Sequence, residues 1–333
     1  MSAVLTVENL AVQYPAPSGG LFRGRPLTLT AVEDVSFELQ AGETLGIVGE
    51  TGCGKSSLGK AVLQLVKPAA GRVLWQGRDL CTLGPAALKA CRKDLQIIFQ
   101  DPLSSLNPRM TIGEIVAEPL EVHCPELGRD ERRRRVDAML ERVGLRPEMR
   151  SRYPNEFSGG QCQRISIARA MISGPKVIVC DEPVSSLDVS IQAQICNLLR
   201  ELQRDSGVSL LFISHDLSIV RYMSHRVLVM YLGRVMEMGG RDDFFGSPRH
   251  PYSQALIGAV PVPDPDHPHL TRPLALDGEL PSPMDPPSGC VFRTRCPLAV
   301  PVCITQLPPR GEPGPGHVVR CHRWTETAPC PAT

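Results

Sequence analysis

The stretch Gly49-Glu50-Thr51-Gly52-Cys53-Gly54-Lys55-Ser56 constrains this chain more than any other. It fits G-x-x-x-x-G-K-[ST], and it stands between an apolar run, Thr44 to Val48, and a helical pattern with Leu58, Ala61, Val62 and Leu65 on one face. A strand that runs into glycines and then a helix can turn successive backbone N–H groups inward, and the helix dipole adds positive potential at the same point. Such a loop cradles phosphates. Lys55 then reaches the β and γ phosphates, and Ser56 ligates Mg²⁺ with Ser57 beside it.

A second element agrees with the first. Val177 to Cys180 is wholly apolar, as expected of a strand buried on both faces, and it runs into Asp181-Glu182-Pro183. At a strand end Asp181 can hold Mg²⁺ through water, and Glu182 can polarise the attacking water. Val208 to Ile213 predicts another buried strand, with His215 after it as a donor to the γ-phosphate. Gln100 closes the strand-like Leu95 to Phe99 and could coordinate Mg²⁺ or the water. Strand, helix and strand in this order predict a doubly wound α/β core, whose ligands sit beyond the carboxyl ends of the strands.

Global charge points nowhere in particular. Thirty-six Lys and Arg against thirty-five Asp and Glu leave any polyanion site local, and the run Glu131 to Arg135 predicts a solvated helical face rather than a nucleic-acid site. No apolar run approaches the roughly 20 residues a membrane span needs, and the N-terminus has neither a basic region nor a cleavage site, so the expectation is a cytoplasmic chain. More than half of the 32 prolines lie from Pro251 onward, which predicts a loop-rich tail without an obvious core of its own.

Phe157 to Arg164 reads FSGGQCQR and precedes an apolar helical pattern. These pieces in this order resemble the ATP-binding subunits of ABC transporters across residues 1 to about 245. The resemblance implies a P-loop NTPase head with a RecA-like core, an antiparallel β subdomain and a helical subdomain at about 90–170, together forming a domain of residues 1–248. It also implies that Ser158, Gly159, Gly160 and Gln161 bind the γ-phosphate of ATP held by a second subunit, so that two ATP molecules are sandwiched head to tail. Tyr14 matches the aromatic that stacks on adenine, Gln100 the lid glutamine, Glu182 the catalytic base, Asp188 the acid of the SSLD loop and His215 the switch histidine. Cys162 departs from the arginine common at that place, which bears on the local charge at the ATP interface.

Ile98 to Leu120 and His250 to Pro261 resemble the peptide-importer branch, which includes dipeptide, oligopeptide and nickel systems. Residues 249–333 would be its C-terminal extension, and Cys290, Cys296, Cys303 and Cys321 give C-x5-C-x6-C-x17-C, with Cys330 outside the set. Four thiolates suit Zn²⁺ or an iron–sulfur cluster on ligand chemistry, Arg293 and Arg295 could offset their charge, and the resemblance favours 4Fe–4S. The implied assembly has a second, different ATPase subunit, two transmembrane permease subunits and an extracytoplasmic solute-binding protein at the inner membrane, without nucleic acid. Nickel, glutathione or an antimicrobial peptide are alternative cargoes. An ABC-type ATPase of DNA repair would need a longer insertion than the interval Ser56 to Ser158.

Overall fold

The computed structural model describes residues 3–15, 28–260 and 278–327. Cys330 lies outside them. Along the chain run β1 (Ala3–Pro15), β2 (Thr28–Gln40), β3 (Thr44–Val48), α1 (Lys55–Val62), β4 (Ala70–Trp75) and β5 (Leu95–Ile98). Helices α2 (Ile112–His123), α3 (Arg129–Arg142) and α4 (Gly159–Met171) follow, then β6 (Val177–Asp181), α5 (Val189–Ser206) and β7 (Ser209–Ile213). The remainder holds α6 (Leu217–Met223), β8 (Arg226–Tyr231), β9 (Arg234–Gly240), α7 (Pro251–Gly258), β10 (Arg310–Gly314) and β11 (His317–Arg320).

The chain divides into two compact units. The first comprises Met1–Leu5, Glu38–Thr44 and Trp75–Ser214, and the second Thr6–Phe37, Leu45–Leu74 and His215–Thr333. In the first unit β5, β6 and β7 form a parallel ladder in which Ile98 faces Cys180 and Asp181 faces Ile213. Every residue of β6 and β7 is buried, which is why both read as apolar runs without alternation. Helix α5 starts on Asp188, whose carboxylate accepts from Ile191 N–H, and ends on Gly207 in the left-handed region. Between those stops it buries Ile195, Leu198, Leu199 and Leu202. Helices α2, α3 and α4 pack on one another in the same unit. The basic run lies on α3 with Arg134 and Arg135 paired to Glu131, a solvated face as its charge predicts.

In the second unit β3 pairs with β8 in parallel, and β8 with β9 antiparallel. Strand β1 lies between β2 and β4. Two expectations are corrected here. Helix α1 stops at Val62, so Leu65 is exposed and does not share the apolar face. The proline-rich tail is no coreless appendage either, because β11 adds to the edge of β9, β10 adds to β11, and Phe292, Val318 and Val319 are buried. Among the described residues no helix is long and apolar enough to cross a membrane.

Candidate functional site

The phosphate loop belongs to the second unit. Gly54 adopts φ 103°, and a Cβ there would stand 2.1 Å from the Ala31 carbonyl oxygen. A Cβ on Gly49 would meet the Met230 carbonyl oxygen at 2.2 Å. The glycines are therefore required by backbone held against backbone, before any ligand is considered. Lys55 is nearly buried, and its Nζ donates to the carbonyls of Gly49 at 2.7 Å and Glu50 at 3.0 Å. Cys53 is buried 3.9 Å from that ammonium, and burial pushes its thiol up, leaving a small apolar wedge under the loop. Cys53 also ties the loop down, since its carbonyl accepts from Gly233 N–H. The Tyr14 hydroxyl donates to Ser57 Oγ at 3.2 Å, which places this aromatic at the start of α1. Thr51 and Gly52 form the exposed crest of the loop, Ser56 follows Lys55 in the first turn of α1, and His215 is exposed just after β7.

The loop has two supports that the sequence motifs missed. Glu50 N–H donates to the Tyr252 hydroxyl at 3.0 Å, and both Glu50 carboxylate oxygens accept from Arg295 Nη1, at 2.8 and 2.9 Å. Tyr252 belongs to the HPYSQ stretch, which reads as a branch marker, and Arg295 to the cysteine-bearing tail. Neither position carries a phosphate-site signal of its own. The expectation that Arg293 and Arg295 offset charge on the cysteines is also revised, since Arg293 donates to Ser288 and Arg295 to Glu50.

The acids belong to the first unit. Asp181 is buried at the end of β6, and Glu182 follows with φ 47°, a left-handed backbone that costs a non-glycine residue on the order of 1 kcal/mol. Its amide donates to Ile213 O, so the ladder itself holds the strained peptide. Gln100 Nε2 donates to Glu182 Oε2 at 3.1 Å, and these two predicted residues do meet. Asp188, placed by resemblance at the nucleotide, is engaged as the cap of α5 and also accepts from Ser190 Oγ at 2.9 Å. Those hydrogen bonds hold its carboxyl below the usual range.

Ser158 opens α4 as half of a capping box: its hydroxyl accepts from Gln161 N–H, and Gln161 Oε1 accepts from Ser158 N–H. The two glycines behind it differ. A Cβ on Gly160 would stand 2.7 Å from Ile191 Cγ2, so this glycine lets α4 sit on α5, whereas a Cβ on Gly159 would meet nothing closer than 3.6 Å. Packing within the chain accounts for Gly160 and leaves Gly159 open to something outside it. Cys162 is fully buried with its Sγ toward the Pro154 carbonyl at 3.6 Å, so it bears on no surface charge.

Burial and the other three thiols raise Cys290 to about 12, burial and its neighbours raise Cys321 to about 11, and burial raises Cys296. Three of the sulfurs receive the amide two residues on, from Phe292, Leu298 and Arg323. These three thiols and Cys303 feel one another electrostatically. Even so, among the described residues no three His, Cys, Asp or Glu stand grouped to hold a metal ion. The four thiols are thus electrostatic neighbours that do not stand at common ligand distances.

Residues 32–185 match the family described as ABC transporter, and residues 236–303 the oligopeptide/dipeptide transporter C-terminal region. The chain is 56% identical over 306 residues to the oligopeptide transport ATP-binding protein OppF of Escherichia coli (strain K12), covering 92% of each. It is 49% identical over 323 residues to the oligopeptide transport ATP-binding protein AppF of Bacillus subtilis (strain 168), covering 97% of this chain and 98% of the relative. The dimeric post-hydrolysis structure of the ATP-binding cassette MJ0796 bound to ADP and Pi is similar with a TM-score of 0.63 at 28% identity, covering 71% of this chain and 98% of that one.

Proposed function

Because this chain belongs to the ATP-binding subunits of oligopeptide-importing ABC transporters, we propose in detail how its residues hydrolyse ATP to power that uptake. The cofactors are ATP and Mg²⁺. Gly49 to Ser57 hold the triphosphate, with Lys55 turning from the loop carbonyls to the β and γ phosphates and Tyr14 against adenine. Ser56, Asp181 and Gln100 serve Mg²⁺, Glu182 polarises the attacking water, and His215 donates to the γ-phosphate. Ser158 to Gln161 complete the site of a second ATPase subunit, and Asp188 supports that interface through the start of α5.

One observation carries this assignment. Glu182 is held with φ 47° at the end of a fully buried strand and is bonded to Gln100, a strained, aimed carboxylate that folding alone has no use for. We place the chain on the cytoplasmic face of the inner membrane, peripheral, in a heterodimer with a different ATPase subunit. Two permease subunits lie above it, and an extracytoplasmic binding protein delivers the peptide. The domain boundary falls near residue 248, and the tail is the branch-specific extension.

Uptake of labelled di- and oligopeptides tests the assignment, in cells that carry the partner subunits and either the native chain or Glu182→Gln. Uptake lost in the variant alone, with ATP still bound, supports it. Uptake unchanged with the variant protein present would sink the peptide reading and point to nickel or glutathione.

We further propose that Cys290, Cys296, Cys303 and Cys321 close on a 4Fe–4S cluster, with Zn²⁺ the alternative. The amide donors to three of the sulfurs support this, because such donors favour the thiolate. When bound, the centre would staple the tail, and no step of hydrolysis runs through it. Iron with equal acid-labile sulfide in anaerobically purified full chain is the expected result. Zinc alone would replace the cluster, and neither metal would remove the proposal.

A further inference from the structure

We propose that Arg295 and Tyr252 are positioning residues of the phosphate loop, which hold Glu50 so that its peptide serves the triphosphate and its carboxylate is neutralised beside it. The inference rests on the reading that this loop binds ATP.

Glu50 is held at three points. Its N–H goes to the Tyr252 hydroxyl, its carboxylate to Arg295 and its carbonyl to Lys55 Nζ at 3.0 Å. The peptide whose N–H goes to Tyr252 carries the Gly49 carbonyl, which also receives Lys55 Nζ, at 2.7 Å, so turning it moves the lysine that must reach the phosphates. The carboxylate matters separately. An acid in a loop built to receive a polyanion repels the ligand, and in a partly desolvated place the repulsion is only weakly screened. Arg295 is the charge that answers it: its side chain is 8% exposed against 25% for Glu50, and it reaches both carboxylate oxygens.

The clamp is rigid for reasons that lie in the tail. Arg295 sits on the turn in which Arg293 N–H donates to Cys290 O and Arg295 N–H to Phe292 O. The Phe292 ring is fully buried against Tyr231 and Tyr252, at centroid distances of 5.3 Å to each. Tyr231 and Tyr252 meet edge to face at 4.8 Å, and the Arg295 guanidinium stands 5.9 Å over Tyr231. His250 fixes Tyr252 from the other side by accepting its N–H at 3.0 Å. A segment more than two hundred residues from the loop thus supplies both its acceptor and its counter-ion.

The experiment is MgATP binding by the full chain, measured calorimetrically alongside adenosine, which carries no phosphate. Arg295→Met should weaken MgATP about tenfold and leave adenosine nearly unchanged, because the lost term is a charge against phosphate. In a Glu50→Gln background the same substitution should cost less than about threefold, since no carboxylate is left to expose. Arg295→Lys should recover part of the loss, and Tyr252→Phe should cost about threefold through the freed amide. An equal loss in both backgrounds would make Arg295 a packing residue and overturn the proposal. So would unchanged MgATP affinity in Arg295→Met, or in Tyr252→Phe should the arginine variant not fold. A native chain that binds no MgATP would instead strike the ATPase reading itself, a separate result.

Discussion

Helices α1 and α4 both begin on glycine-rich segments, and they satisfy their first amides in opposite ways. Gly54 precedes α1 with a left-handed backbone and no side-chain cap, so the amides of that first turn face the place where phosphates belong. Ser158 precedes α4 and closes a capping box with Gln161, at 3.0 and 3.4 Å. The first start is open and backed by distant parts of its own unit, through Ala31, Gly233, Tyr252 and Arg295. The second satisfies two of its own amides through the box, and it keeps the Ser158 O–H and the amides of Gly159 and Gly160 for the phosphate proposed to come from another subunit. The same residue types thus build a permanent cradle in one place and a conditional contact in the other.

The largest test of this contrast is Gly54→Ala. Its Cβ would lie 2.1 Å from a backbone oxygen, in a conformation that alanine avoids, and neither atom can swing away. MgATP affinity of the full chain should fall by more than about 100-fold, or roughly 3 kcal/mol. Gly52→Ala serves as the control, because nothing lies within 4 Å of its added carbon and only the φ of 81° is strained. Its loss should stay under about tenfold. If both variants bind MgATP alike, the loop is not held against Ala31 as described and the contrast with α4 fails.

How far these two starts could be read in advance differs for a physical reason. The phosphate loop was legible because its chemistry is local: Gly49 to Ser57 are consecutive, and strand and helix flank them. The acid pair at the end of β6 was legible for the same reason, and Gln100, named through its resemblance to the lid glutamine, meets Glu182 because the ladder brings β5 beside β6. What stayed hidden depends on contacts between remote residues. No local pattern announces that Arg295 reaches Glu50, or that Val318 and Val319 pair with Met238 and Glu237 behind so many prolines. Gly160, placed by resemblance at the phosphate, also lets α4 sit on Ile191, a fact set by where α5 passes. Asp188, placed by resemblance at the nucleotide, also caps a helix, a role that no local motif had assigned to it.

A smaller effect separates the two starts by pH. His250 is buried at the cap of α7, where its Nδ1 accepts from Tyr252 N–H and its ring donates to the Arg320 carbonyl, while Glu237 faces it. Burial, opposed only in part by Glu237, depresses its pKa from 6.5 to about 4. The folded chain therefore resists a proton that the unfolded chain accepts, so stability is full above about pH 6.5 and declines as pH falls toward 4. The full loss is about 3 kcal/mol, and about 2 kcal/mol of it is gone by about pH 5. Urea unfolding followed against pH should show this acid slope in the native chain and a shallower one in His250→Asn, whose amide oxygen can still cap α7. MgATP affinity should weaken over the same window, since Tyr252 rides on that helix, and an equal acid slope in both chains would clear His250 of the effect.

The smallest effect, and the one that tells a cap from a ligand contact, belongs to Ser158. Ser158→Ala removes one side-chain acceptor from the start of α4 and should cost about 1 kcal/mol in urea unfolding. MgATP affinity of the chain by itself should stay within about twofold, because in the proposed arrangement the phosphate that Ser158 serves is held by the other subunit's loop. Hydrolysis by the assembled importer should fall further than the stability loss explains. Ser158→Asn sharpens the point, since asparagine caps a helix about as well as serine and should restore the unfolding free energy. It places an amide where the phosphate expects a hydroxyl, so hydrolysis should remain low. Recovery of both properties together would mean that the capping box is all that Ser158 does, and that the open and closed helix starts differ in stability but not in function.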